Sequence, residues 1–419
     1  MVEFAEFKEQ SRALMPNNNT LKLLMLVSSY PRDKEDSASI FLRHLAESLS
    51  NRGIKVHVLA PADKEKGTRI EDGITVHRFQ YLPASIQQLA YGSGILSNLN
   101  RHPWLWIEVP FFLVMMSYSL LRLLRRENPD LIHAHWVLPQ GLVALLARLV
   151  HKKPVITTSH GGDAFALKGT VLSYLKRMVL RKSTAWTSNT RATSEAFGAT
   201  GSLPKPTIIP MGVEVKHFQS GQQKSLRREL PENEMIVLFV GRLVEKKGVE
   251  YLLSAYSLLP SDLRCRTRLW IIGDGERRTR LQHYAESLDV AEKTRFWGQI
   301  SNHCLPDYYA SSDLLVVPSI EGPSGDTEGQ GVVMLEAFAA RLCVLATSVG
   351  GIREVVENGL TGVLVEPHNP QQLADAMTRL LKDKNLRKEL AERAYVKVKH
   401  QYDWRRIVQD FENLYRSVL

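Results

Sequence analysis

From residue 21 onward the chain alternates short apolar, β-rich runs with amphipathic helical stretches, and it does so twice over. The first round reads "LKLLMLVSS", a helix over Ile40 to Arg52, "KVHVLAP", "ITVHRF", an apolar helix, "DLIHAHW", another helix, and "PVITTSH". The proline- and glycine-bearing segment "PTIIPMGVE" (206–214) reads as a linker, after which "MIVLFVG", "RLWIIGDGE", "TRFWGQI", "DLLVVPS", "CVLATS" and "GVLVEP" repeat the pattern with helices between them. Strand and helix in strict alternation specify a parallel sheet covered on both faces. The expected fold class is therefore α/β, with two Rossmann-like, doubly wound domains facing across a crevice. The expected division is a polar extension at 1–20, a first domain over 21–208, a second over 209–400, and a C-terminal helix at 401–419 packing back towards the first. In open α/β sheets ligands bind beyond the carboxyl ends of the strands, so the crevice is where chemistry is expected.

Composition excludes several other classes. Apolar residues make up 44% of the 419 and charged residues 23%, as in a globular protein without long disorder. Cys265, Cys304 and Cys343 stand singly, without the spacing of a disulfide framework or a zinc site. The first twenty residues lack the apolar core of a secretory signal, so a cytoplasmic setting is expected. The net charge of +10 is one-sided: residues 1–210 hold 26 Lys+Arg against 16 Asp+Glu, and residues 211–419 hold 28 of each. Such an excess suits an extended anionic partner or simply aids solubility. No nucleic-acid-binding motif accompanies it, so an anionic membrane surface, on the inner face of the membrane, is the better expectation. The stretch "WLWIEVPFFLVMMSYSLLRLLRRE" (104–127) bears on this point. Glu108 and Pro110 interrupt it, which argues against a spanning helix and leaves a buried helix of the first domain, or one that also dips into lipid headgroups.

The chemistry-bearing segments fall after predicted strands. "GRLVEKKGVEYLL" (241–253) sets Arg242 and Lys247 in a loop leading into a helix, a seat for a diphosphate, although a solvated basic loop would read the same in isolation. "IIGDGE" offers Gly273 for close backbone approach, and "FWGQIS" offers backbone at Ile300 to a base edge, with a plain tight turn the alternative. "TEGQGVVMLEA" (327–337) holds Glu328 and Glu336 eight residues apart. On one helix that is roughly 12 Å, beyond the 5 to 9.5 Å of a glycosidase carboxyl pair. The two are instead expected to hold two ends of one elongated ligand, with the first amides of the helix, at Gly331 and Val332, aimed at its phosphates. A buried glutamate needs a partner, here expected to be ligand hydroxyls or cations. In the first domain "HAHW" and "SHGGDAF" put His135 and His160 at the crevice rim, whereas His133 and His151 read as structural.

The combination "GRLVEKKG", "GDG", E-x7-E and "SVGGIREVVENGLTGVLVEP" (348–367) resembles the second domain of the family 4 retaining glycosyltransferases, which have the GT-B fold, and the likeness spans about residues 21–415. It implies Arg242 and Lys247 on a donor diphosphate, Glu336 on the ribose, Glu328 on the transferred sugar and His160 beside the reacting carbon. "DTEGQG" and "HAHWVLPQG" resemble members that build exopolysaccharide or lipid-linked glycans. The expected activity is metal-independent transfer of a hexosyl residue, with retention, from a UDP- or GDP-linked sugar to a glycan or lipid-linked acceptor, with no cofactor. The rivals are an epimerase or phosphorylase on the same fold, and a non-catalytic nucleotide-sugar-binding scaffold. Three departures from the family pattern stand out. The loop 28–39 lacks a common Gly-Gly, Gln330 replaces a common aromatic, and Arg341 and Cys343 stand where glycine and proline are usual.

Overall fold

The computed structural model describes residues 20–419 except 34–35, 37–38, 64–65, 93, 166–168, 199–202, 222–225, 228–229, 232 and 323–324. The extension at 1–20 thus lies outside the described residues but for Thr20, as does part of the loop 28–39.

The first sheet contains, among the described residues, β1 (Lys22–Leu26), β2 (Lys55–Pro61), β3 (Gly67–Glu71), β4 (Ile74–Phe79), β5 (Leu131–His135), β6 (Val155–Ser159), β7 (Ala185–Ser188) and β8 (Thr207–Ile208), in the order β3-β4-β2-β1-β5-β6-β7-β8. All its pairings are parallel except β3 with β4. The sequence reading missed β3 and β7. The "GTRIE" of β3 is almost wholly exposed and carries no apolar run, and "AWTS" is four residues long. The segment read as linker also begins as the edge strand β8. The second sheet is wholly parallel, with β9 (Met235–Val240), β10 (Thr267–Ile272), β11 (Thr294–Gly298), β12 (Leu314–Val317), β13 (Val344–Thr347) and β14 (Val363–Val365) in the order β11-β10-β9-β12-β13-β14. Strands such as "MIVLFV" are buried on both faces, which is why they read as continuous apolar runs.

Three helices end the chain, and each start is written in its sequence. Asn369, Asp383 and Asp403 accept hydrogen bonds from the amides of Gln372, Leu386 and Arg405 at the heads of Pro370–Lys382, Lys384–Gln401 and Trp404–Ser417. The last helix crosses to the first domain. Its Trp404, Ile407, Val408, Phe411 and Tyr415 share one buried cluster with Leu23, Met25, Val56 and Val58 of β1 and β2. The linker travels with it: Val213 donates to the Tyr402 carbonyl at 2.8 Å and its own carbonyl accepts from the Trp404 amide at 3.3 Å.

Pro103–Glu127 is the one stretch of the described residues long and apolar enough to cross a membrane, with a mean hydropathy of 1.6. It packs as a helix of the first domain, with Phe112, Met116, Leu120 and Leu124 in that domain's core. Glu108 points inward, accepting the amides of Gln88 and Leu89 at 3.1 Å each.

Candidate active site

The carboxyl ends of β9, β10 and β11 bring Gly241, Gly273 and Gly298 side by side. Gly273, at φ +128°, donates to the Gly298 carbonyl at 2.8 Å, and a Cβ on it would stand 1.9 Å from the Gly241 carbonyl oxygen, so no other residue fits. Beyond Gly241, the loop carrying Arg242 and Lys247 turns back at Gly248, φ +63°, where a Cβ would meet the Pro318 carbonyl oxygen at 2.0 Å. The Ile320 amide donating to the Lys246 carbonyl at 2.8 Å ties this loop to the one after β12.

That second loop carries Glu328. Lys247 Nζ lies 2.5 Å from Glu328 Oε2, while Lys246 donates to Asp326 at 3.0 Å and to the Thr327 carbonyl at 3.2 Å. Burial resists the charge of Glu328, yet Lys247, Lys246 and Arg242 hold its carboxyl below the usual carboxylate range. Arg242 itself is exposed at the crevice mouth. Lys246 was missed in sequence because three basic or acidic residues in a row carry no sign of which way each points.

Gly331, at φ +76°, opens the helix Val332–Ala339, whose first amides belong to Val332 and Val333. Val332 packs its side chain on the first domain's core. Ile300 does the same on the second domain's core, beside the cluster that includes Tyr308 and Leu335. Glu336 lies one turn along. Its partner is the Tyr309 hydroxyl, which donates to Oε2 at 2.6 Å, and not a cation. Burial pushes the Glu336 carboxyl up to about 7, opposed only in part by that hydrogen bond.

Facing these loops from the first domain is His160, at the end of β6. Its Nε2 lies 3.0 Å from His135 Nδ1, and its ring rests against Phe41 and Trp136. Burial drives its pKa down to about 3, so it is neutral at physiological pH, and its Nδ1 is buried without a protein partner. Asp163 fixes the loop by accepting from the Val137 amide at 2.7 Å, Ser159 Oγ at 2.8 Å and the His160 amide at 3.2 Å. His133 is spent on Tyr415 and Thr158, at 2.8 and 2.6 Å.

The two halves touch at the donor-side loop itself. A Cβ on Gly161 would be 2.9 Å from the Gly329 Cα, and one on Gly329 would be 2.9 Å from the His160 carbonyl oxygen. Thr190 Oγ1 donates to the Gly329 carbonyl at 2.9 Å. Gln330 accepts from the Met211 amide at 2.7 Å and donates to its carbonyl at 3.0 Å, so the residue that departs from the family's aromatic ties the loop to the linker. Glu354 of the second domain accepts the amides of Arg191 and Ala192 at 2.9 Å each, capping a helix of the first. Arg341, where glycine is usual, adopts φ +54° and is held by Tyr395 and by Glu392 at 2.9 Å.

Away from the crevice, His57, His77 and Glu127 place one ligand atom each within 4.8 Å of one another. They run in line with Thr68, as Thr68 to His77 at 3.0 Å, His77 to His57 at 3.1 Å, and His57 to Glu127 at 4.0 Å. A relay that uses both nitrogens of His77 does not converge on one ion as a metal site must.

Two doubly wound domains with a cation-lined loop, a glycine-opened helix and a facing histidine define the GT-B class of glycosyltransferases. Comparison with known proteins agrees. The model described as "Glycosyltransferase Family 4" matches residues 38–217, and the model described as "Glycosyl transferases group 1" matches 222–397, so the two together span both domains. The N-acetyl-alpha-D-glucosaminyl L-malate synthase of Bacillus anthracis is 24% identical over 408 residues, covering 95% of this chain and 98% of its own. Among solved structures, a sucrose-phosphate synthase from Thermosynechococcus elongatus superposes with a TM-score of 0.80 at 22% identity, covering 95% of this chain and 99% of that one. Anabaena HepE in complex with UDP and glucose gives 0.73 at 20% identity, covering 95% and 100%. The chain belongs to the family 4 glycosyltransferases.

Proposed function

We propose that this glycosyltransferase moves a hexosyl residue from a UDP- or GDP-linked sugar to a glycan or lipid-linked acceptor, with retention and without a divalent metal, at the inner face of an anionic membrane. The observation that carries the reading is the convergence of Arg242, Lys246 and Lys247 on the Glu328 loop where it enters the helix opened by Gly331, opposite His160. Neutral His160, with its free Nδ1, suits a sugar hydroxyl better than an ion. In transfer, the bond from the sugar's anomeric carbon to the diphosphate oxygen breaks and a bond to the acceptor oxygen forms on the same face. The acceptor's proton passes to the leaving phosphate oxygen. Cations and helix amides already in place take up the charge that develops on the diphosphate. HepE's complex with UDP and glucose supports a nucleotide-sugar donor.

The test is a thermal-shift panel of UDP- and GDP-sugars followed by product analysis with and without acceptor. A donor that binds the folded state raises the melting temperature by mass action. Turnover of the donor sugar to an isomer without acceptor would make the protein an epimerase, and donor binding with neither hydrolysis nor transfer would make it a scaffold. Transfer is expected to persist in EDTA. Loss restored by Mg²⁺ or Mn²⁺ would overturn the metal-free part of the proposal.

A further inference from the structure

The helices Glu108–Glu127, Leu142–His151 and Thr170–Lys182 lie side by side on one face of the first sheet, the face opposite the helices Ile40–Asn51 and Trp404–Ser417. Their inner sides fill the core. Their outer sides are unusually apolar: of 18 large hydrophobic residues exposed among the described residues, 11 lie on these helices and on the 3-10 turn Pro103–Ile107 that leads into the first of them. Trp104, Ile107, Phe111, Val114 and Tyr118 follow one another at helical spacing of three and four residues along a single stripe, with Ile107 69% and Val114 64% exposed. The stripe ends in Arg122 and Arg125 at the same spacing. The second helix adds Leu146, Leu149 and Val150, with Leu149 81% exposed, and the third adds Val171 and Tyr174. A soluble surface rarely presents so large a contiguous apolar patch without a partner for it.

The charge on the layer says which partner. Residues 101–126, 142–153 and 170–182 hold eleven Lys or Arg, of which Lys176 alone is buried, and one acidic residue, Glu108, which is itself buried and accepts the amides of Gln88 and Leu89. The neighbouring Glu127 is neutralised by Arg126 at 2.7 Å. Direction matters as well. Each helix begins at the carboxyl edge of the sheet, where the crevice is, so Trp104, Phe111, Val171 and Tyr174 sit at the crevice side, while Arg122, Arg125, Lys152 and Arg181 sit towards the far edge.

We infer that this three-helix face is a docking surface for an anionic bilayer, entering the headgroup region with its tryptophan edge and bringing the crevice mouth to the lipid surface. Apolar side chains dip into the boundary with the acyl chains while the cations meet anionic headgroups, and neither contact alone holds a protein firmly. The inference rests on the proposed transfer to a lipid-linked acceptor and gives it a place: the acceptor stays in its membrane and only its head enters the crevice.

The experiment is co-sedimentation of the full chain with vesicles of phosphatidylcholine alone or with phosphatidylglycerol added. Binding is expected only when phosphatidylglycerol is present, weakening as salt screens the cations. The variant Trp104→Ser/Trp106→Ser/Phe111→Ser, three exposed positions, is expected to lose at least about tenfold in partitioning. Arg122→Gln/Arg125→Gln/Arg181→Gln should lose most of the salt sensitivity. The melting temperature and its shift by UDP are read on every variant. Unchanged values show that fold and donor site are intact, and absence of any UDP shift in the natural protein would strike the donor reading while vesicle binding still decides this one. Equal binding to neutral vesicles, no binding at all, or binding that survives the triple serine variant overturns the inference. So does a concentration-dependent dimer abolished by those serines, which would give the face to a second copy.

Discussion

Glu328 and Glu336 belong to one loop and the helix it enters, yet their surroundings favour opposite protonation states. Three cations keep Glu328 ionised, whereas burial raises the pKa of Glu336 to about 7, so that it ionises fully only above that pH. Glu328→Gln releases Lys247 towards the diphosphate, so it should not weaken UDP and should lower kcat. Glu336→Gln should weaken UDP by roughly ten- to a hundredfold, the worth of a hydrogen bond of about 1.5 to 3 kcal/mol to a charged group. Calorimetry with UDP and steady-state kinetics on both variants check the pair, and equal weakening by both would refute the division of labour. A pH dependence follows from the same residue. Because its pKa is raised from 4.5, the fold favours the neutral carboxyl; that stabilisation is full below 4.5 and is lost as pH rises through about 7. Ribose hydroxyls are donors and prefer the ionised form. UDP should therefore bind the natural protein more tightly as pH climbs through about 7, by a margin that the Glu336→Gln variant lacks. The two glutamates were legible in sequence from their spacing. Tyr309, 27 residues upstream and on another helix, was not, since nothing local ties a tyrosine to a distant carboxylate.

At the scale of elements, the loop at 326–331 is held from three sides. Lys246 and Lys247 reach it from the loop after β9, Thr190 from the first domain, and Gln330 anchors it to the linker. Gln330 is 3% exposed, and removing its amide leaves two buried Met211 backbone groups unpaired. Gln330→Ala should cost about 2 kcal/mol in urea unfolding, and Gln330→Glu should not rescue it, because a carboxylate cannot donate to the Met211 carbonyl. Full stability in the alanine variant would rule out the anchor. Gly248→Ala combines a left-handed φ of +63° with a Cβ 2.0 Å from the Pro318 carbonyl oxygen, so it must displace Lys247. Its UDP affinity should fall with most of the fold retained, as read by calorimetry and circular dichroism. Sequence placed glycines in this loop but offered no means of telling the free turn glycine from the one pressed on a neighbouring strand end.

For the whole molecule, the ties across the crevice include the linker, the returning C-terminal helix, the packing of Val332 on the first domain's core and of Gly161 on Gly329, and the contacts of Thr190 and Glu354. Thr190→Val with Glu354→Ala removes the last two, together with the cap that Thr190 gives the helix Arg191–Glu195, and leaves the apolar clusters of both domains in place. The double variant should show a larger radius of gyration by small-angle scattering, unchanged UDP affinity and a lower rate of transfer, because donor and acceptor halves no longer hold their spacing. Unchanged scattering and rate would mean that the remaining ties suffice. The alternation of apolar runs determined by itself that there would be two sheets built of parallel strands, since strands buried on both faces admit only apolar residues and the helices between them must be amphipathic; the exposed antiparallel β3 at the edge of the first carries no such run. It also determined the order in which Arg242, Lys247, Glu328 and Glu336 would arrive, because strand ends and glycine turns are local features. Only the tertiary structure decided that Lys247 meets Glu328, that Glu336 meets Tyr309, that Gln330 secures the linker, and that three separate helices pool their exposed apolar sides. Each of these pairs side chains far apart in the chain, and such pairings depend on how the two sheets and their layers come together, which no residue's own neighbours encode.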